Sequence, residues 1–300
     1  MSTHKVQIGC KLPLGWQSAV DWPDLARRAD LLPHLAEMGF DYVEFGVGSL
    51  HSADERGLLQ EQVEACGGAA LGMALHPYLG GQAKIARFER GPECRRSLNR
   101  LLEAADRAAE EVPGTVTLVF HPAEDDYDPA TQCAPEVRSE LLRLSRLFAR
   151  ELEDRITPLG RGVVAALEHQ VPPAPEENLL RTGDTAQELL RVVEGTDLPI
   201  CWDTGHYLLS MDRHGQPARP PKEFLRRVTH VHLHDVIEGR DHRAISEDSH
   251  HVRRWIDDLL RRGFDGRLTL EYEPDAVWEG GGVDRVAAES LRLLRQWGVN

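Results

Sequence analysis

Short apolar runs in this chain repeatedly end in a residue that can bind a metal or carry a proton. The endings are Glu44 in VEFG, His76 in MALHPY, His121 in LVFHPAED, Glu168 in ALEHQ, Asp203 and His206 in ICWDTGH, His232 in HVHLHD, and Glu271 in TLEYEP. Carboxylate oxygens together with imidazole suit a divalent cation: Mn, Zn, Co or Mg. Glu168, Asp203, His232 and Glu271 fall on four successive runs. Their three carboxylates could not share one pocket without a cation to neutralise them, so these four are the expected metal ligands. His76, His121 and His206 are candidates for a second ion, and Asp241-His242 for a third. Glu44, Tyr78 and His234 are candidate substrate contacts, with Glu44 reading equally well as an arginine partner or a residue beside the ligands. His230 lies deeper on its run and reads as structural. His250 and His251 open a helix and read as solvated.

The runs that must position these residues read as strands at 6–10, 42–47, 70–76, 115–121, 162–169, 198–203, 228–234 and 267–272. Between and after them, helical periods cover 24–38, 53–66, 93–111, 135–154, 185–194, 221–227, 250–262 and 283–297. The stripe Val137, Leu141, Leu144, Phe148 and Leu152 shows the helical spacing. Gly39 and Gly263 stand where helix C-caps belong. Eight alternating units predict an α/β fold, a (β/α)₈ TIM barrel forming one domain over 1–300, with an open doubly wound sheet as the alternative. In such a barrel the C-terminal strand ends form the active-site face. Side-chain alternation supports this placement. Leu167 takes the helix side while Glu168 points inward with Ala166, and Leu268 and Leu270 face the helices while Glu271 points inward.

At 300 residues, 41% hydrophobic and 28% charged, the composition is that of an ordinary globular protein. No apolar run approaches the roughly 18 residues of a membrane span, and residues 1–10 hold no signal core. Five scattered cysteines without a CxxC pair point to reduced thiols, so a cytoplasmic location is expected. A net charge of −14 argues against a nucleic-acid partner, because a duplex binder must replace phosphate counterions.

The motifs LEHQ at Glu168, CWDTGH at Asp203 to His206, HVHLHD at His232, the Asp241-His242 pair and LEYEP at Glu271 resemble the xylose-isomerase-like TIM-barrel superfamily. That superfamily contains sugar-phosphate isomerases and epimerases, ketose 3-epimerases, inosose dehydratases and the endonuclease IV group. The resemblance covers nearly the whole chain. It implies a metal held by Glu168, Asp203, His232 and Glu271, with the two glutamates doubling as the acid/base pair of an epimerase. The further metal ligands of endonuclease IV are matched by His76, His121, His206 and the Asp241-His242 pair. One departure is that 243–249 lacks the glycine-bearing turn usual after that pair.

Two enzyme classes follow. The first is a metal-dependent isomerase or epimerase of a small sugar, polyol or sugar phosphate, with a dehydratase variant. Glu168 and Glu271 would exchange a proton on opposite faces of one carbon, and His206 would bond a substrate oxygen. The second is an endonuclease IV-type multinuclear phosphodiesterase acting on abasic sites. A non-catalytic metal-binding barrel is a third reading. The expected partner is a sugar-like small molecule, with oligomeric state open, a homodimer included.

Overall fold

The computed structural model describes residues 5–13, 30–174 and 176–299. Eight strands form a closed parallel barrel: β1 (Gln7–Pro13), β2 (Tyr42–Val47), β3 (Gly72–Pro77), β4 (Val116–Phe120), β5 (Val163–Glu168), β6 (Ile200–Asp203), β7 (Val228–Leu233) and β8 (Arg267–Leu270). Each strand pairs with its neighbours in chain order, and β8 closes on β1 through Gln7↔Arg267 to Cys10↔Leu270. The helices are α1 (Leu31–Met38), α2 (Ala53–Gly68), α3 (Glu93–Glu111), α4 (Ala134–Ile156), α5 (Ala186–Val192), α6 (Thr204–His214), α7 (Lys222–Arg227), α8 (His250–Arg261), α9 (Pro274–Glu279) and α10 (Val283–Gln296). The start of the expected first helix, 24–29, lies outside the described residues. No described helix is long and apolar enough to cross a membrane.

Besides the short helix α9, which lies between the expected helices 250–262 and 283–297, three features differ from the expected elements. Strand β1 runs on to Pro13 instead of stopping at Cys10, which brings Lys11 into the barrel. Helix α6 starts directly after β6, so His206 sits in a helical first turn, not at a strand end. Asp203 is both the last residue of β6 and the N-cap of α6, its Oδ1 accepting the His206 N–H at 2.7 Å. Two antiparallel ribbons also stand in the loops, pairing 124–126 with 179–181 and 235–237 with 240–243.

Alternation divides the core into two layers. Leu167, Leu268 and Leu270 belong to the large cluster between sheet and helices, whereas Val119, Ala166 and Cys201 form a small separate one. The lower barrel interior is polar, and Arg267 is its main hydrogen-bond donor. Arg267 donates to the Met73 carbonyl at 3.0 Å and to Thr117 Oγ1 at 2.8 Å, and its guanidinium lies 4.8 Å over the Tyr42 ring. The Tyr42 hydroxyl is 2.7 Å from Thr269 Oγ1. A Cβ on Gly9 would stand 2.5 Å from the Tyr42 ring, so this ring fits only because β1 carries a glycine there.

Candidate metal and active site

All eight strands deliver an ionisable side chain to the upper end: Lys11, Glu44, His76, His121, Glu168, Asp203, His232 and Glu271 in strand order. His121 and Glu271 stand one residue beyond β4 and β8, where the chain turns outward. The ligand atoms of Glu168, Asp203, His232 and Glu271 lie within 4.8 Å of one another, and all four residues are buried. His232 Nδ1 is 2.8 Å from Glu271 Oε2, 3.3 Å from Glu168 Oε1 and 3.8 Å from Asp203 Oδ2. Yet both Glu168 oxygens, both His232 nitrogens and Glu271 Oε2 are buried without a well-formed hydrogen bond. Of these, Glu168 Oε1, Glu271 Oε2 and His232 Nδ1 converge on one space, and buried atoms so placed without hydrogen-bond partners fit a divalent cation, which would satisfy them together.

A second group adjoins the first. His76 Nε2, His121 Nε2 and Glu168 Oε2 form a triangle with edges of 3.0, 3.1 and 3.2 Å. Ligands of a tetrahedral zinc would be spaced about 3.3 Å apart. Glu168 thus turns Oε2 to this group and Oε1 to His232. A third group joins Asp203, His206, His234 and His242. Asp241 stands at its edge, 3.9 Å from His206 Nε2. The glycine-free stretch after the pair is closed by serines, the Ser246 N–H donating to Ser249 Oγ at 2.9 Å and the Ser249 N–H to the Ser246 carbonyl at 3.2 Å, while Gly239, with φ of 76°, turns the ribbon ahead of the pair.

Glu44 and His234, the expected substrate contacts besides Tyr78, are wholly buried among protein groups. Glu44 Oε1 lies 2.9 Å from His232 Nε2, and its Oε2 takes His230 Nε2 at 2.9 Å and the Thr269 hydroxyl at 3.1 Å. Such a carboxylate fixes the outer proton of His232 on Nε2 and leaves Nδ1 for the metal side. His234 Nε2 meets Asp203 at 2.8 Å, while its Nδ1 accepts the His242 backbone N–H at 2.8 Å. It therefore orients the Asp203 carboxylate. His230 is structural as expected, and His250 and His251 are exposed. Tyr78 is 48% exposed at the rim and stacks on His76, ring centroids 4.6 Å apart. His206 Nδ1 bonds the His169 carbonyl at 2.9 Å, turning Nε2 toward the mouth.

Lys11 is the residue the sequence reading missed. It makes an ion pair with Glu271 Oε1 and lies 2.6 Å from His76 Nδ1. The available signal was the single ionisable residue after the first apolar run, in the register Lys11↔Glu44.

Burial resists ionisation throughout this cluster, and the neighbours overcome it. Glu168 is held well below the usual carboxylate range by His232, His76 and His121, and Glu271 by Lys11 and His232. Asp203 is lowered by His206 and His234. The converse holds for His232, kept well above its ordinary value by Cys201, Glu44, Glu168 and Glu271, and for His242, pushed up to about 11 by Asp241 and Glu271. Burial lowers His230 and His169 to about 4. A cavity of about 580 Å³ opens onto the site, with Lys11, Tyr78, His242 and Glu271 in its wall beside the backbone of Gly46 and Gly48.

A closed parallel barrel with a carboxylate and histidine cluster at its C-terminal mouth defines the class. The chain belongs to the xylose isomerase-like TIM barrel family, whose model matches residues 32–297. Among solved structures it is similar to D-psicose 3-epimerase from Clostridium cellulolyticum H10, solved with D-tagatose: 12% identity, TM-score 0.64, 97% of this chain and 99% of that one covered. It is also similar to the probable 3-DHS dehydratase AsbF of petrobactin synthesis from Bacillus anthracis, at 14% identity and TM-score 0.56 over 96% and 98% of the two chains. SacUVDE matches at 10% identity and TM-score 0.55 over 98% and 100%. No curated protein sequence matches the chain.

Proposed function

We propose that the protein is a divalent-metal-dependent isomerase or epimerase of a small sugar, polyol or sugar phosphate, with a dehydratase as the nearest chemical variant. The observation that carries this reading is the convergence of Glu168 and Glu271 on His232 Nδ1, at 3.3 and 2.8 Å, from strands three places apart in the ring. Two ionised carboxylates then flank one small space next to a cavity of sugar dimensions. When bound at Glu168, Asp203, His232 and Glu271, a divalent cation supplies Lewis-acid stabilisation of negative charge on a substrate oxygen.

The chain's own residues do the rest. Glu271 takes a proton from the carbon beside a carbonyl, and the electron pair delocalises onto that carbonyl oxygen. Glu168, ionised at rest, draws a proton from water and passes it to the other face, and Glu271 releases its proton to water once the product leaves. His206 Nε2 accepts a hydrogen bond from a substrate hydroxyl, and the Tyr78 ring closes the side of the cavity. Where the substrate carries a hydroxyl on the next carbon, its departure gives the dehydratase outcome.

A multinuclear phosphodiesterase is favoured by one feature, the two-sided placement of Glu168 between the His76–His121 and His232 groups. Charge opposes it. Among the described residues, Arg87 is paired with Asp125 at 3.1 Å and Arg181 with Glu124 at 2.9 Å, and the chain carries −14 overall. The test is incubation of the metal-loaded protein in D₂O with a panel of ketoses, aldoses, inositols and their phosphates. Deuterium should enter at the carbon next to the carbonyl. Cleavage of an abasic-site oligonucleotide at physiological salt, with no exchange on any sugar, would replace this reading.

A further inference from the structure

Lys11 reaches the cluster from β1, and only a tenth of its side chain is exposed. Its ammonium lies 2.6 Å from His76 Nδ1, pairs with Glu271 Oε1, and sits 5.1 Å from the centroid of the Tyr78 ring. An ammonium only donates hydrogen bonds, so His76 Nδ1 must accept. The proton of the neutral imidazole is then on Nε2, which lies 3.1 Å from His121 Nε2 and 3.0 Å from Glu168 Oε2. That same nitrogen is the one a metal held with His121 and Glu168 would need as a lone pair.

We propose that Lys11 keeps the His76–His121–Glu168 group free of metal and so makes the centre mononuclear. Two effects act together. The tautomer imposed on His76 puts a hydrogen at the ligand position, and the fixed positive charge repels an incoming cation. Glu44 supplies the alternative. Its Oε1 lies 3.4 Å from His76 Nδ1 and 2.9 Å from His232 Nε2. Without Lys11, Glu44 Oε1 is the acceptor within reach of a proton on His76 Nδ1, which frees Nε2 as a ligand. Lys11 therefore separates one-ion chemistry on a carbonyl and hydroxyl pair from two-ion chemistry on a phosphodiester. This inference rests on the reading above, in which the Glu168, Asp203, His232 and Glu271 quartet holds an ion.

The test is metal content per chain by mass spectrometry after loading with zinc or manganese and desalting, on wild type, Lys11→Met and Lys11→Arg. About one ion is expected in wild type and Lys11→Arg, and about two in Lys11→Met. The double variant Lys11→Met/His76→Ala should return to about one, locating the added ion. Nitrogen-15 spectra of the metal-free wild type should show His76 protonated on Nε2. Circular dichroism checks folding, with Lys11→Leu as the replacement should Lys11→Met not fold. Two ions in the wild type, or one in the folded neutral variant, would overturn the role of Lys11 and leave the isomerase reading standing. No ion in the wild type would overturn both.

Discussion

At the scale of single residues, the site is a set of charges that burial would suppress and neighbours preserve. Glu271 is the clearest case, being buried, ionised beside Lys11 and His232, and still in the cavity wall. Glu271→Gln should lower turnover by roughly 10²- to 10⁴-fold, the usual contribution of a positioned general base, because an amide cannot accept the proton. Its oxygen can still coordinate, so bound metal measured alongside should be retained. Full turnover in the metal-loaded variant would remove Glu271 from the proton transfer. The histidines predict a pH dependence. His232 and His242 are held protonated without metal, and ligand nitrogens must be free, so metal affinity should rise with pH. Proton release on loading, read from calorimetry in buffers of different ionisation enthalpy, checks this. In the metal-free protein, His242 titrates near 6.5 unfolded and about 11 folded. Its stabilisation is complete below the unfolded value and is lost as pH rises toward the folded one. Tm of the metal-free protein should therefore fall between pH 7 and 10, and His242→Asn should flatten that fall.

At the scale of elements, the junction of β6 and α6 does two tasks with few atoms. Asp203 caps the helix through Oδ1 and faces the metal position through Oδ2, with His234 locking it from behind. Gly205 permits this arrangement, since a Cβ there would stand 2.1 Å from the His234 ring. Gly205→Ala should displace His234 and loosen Asp203. The expected result is metal affinity weakened by about 10-fold or more, in the range typical of lost outer-shell partners, with the far-ultraviolet helix signal retained. Unchanged affinity would show that the His234 contact does not orient Asp203. The ribbon closed at Glu238-Gly239 serves Asp241 and His242 in the same way, replacing an irregular loop by paired backbone.

At the scale of the whole molecule, the barrel concentrates unlike environments along one axis. Arg267, Tyr42 and Thr269 fill the lower interior with satisfied polar groups, while at the upper end Glu44 Oε1, both Glu168 oxygens and Glu271 Oε2 are buried without hydrogen bonds. Such an end is electrostatically costly without a cation, so adding zinc or manganese should raise Tm and chelation should lower it. At a free concentration of 100 Kd the linkage is worth about 2.7 kcal/mol. Insensitivity of Tm to both treatments would count against the quartet as a metal site. The net charge of −14 acts over the same distances and should keep nonspecific DNA binding weak at physiological salt.

The sequence by itself determined the repeating unit, the inward parity of Glu168 and Glu271, and the identity of the residues at seven of the strand ends. Each of these follows from a period of two in a strand or 3.6 in a helix, which are local properties of the chain. Helix α6 escaped because Asp203 and Gly205 read as the end of a strand, although a side-chain cap after Trp202 is also a helix start. Only the tertiary structure decided which polar groups meet. Lys11 and Glu271 are 260 positions apart and touch because β8 closes on β1. Glu44 and His234, alike in sequence to residues that face a substrate, are wholly buried because ring closure sets Glu44 against His232 and His234 against Asp203 and His242. Depth along the barrel axis is a property of the closed ring and its register, and no local period encodes it.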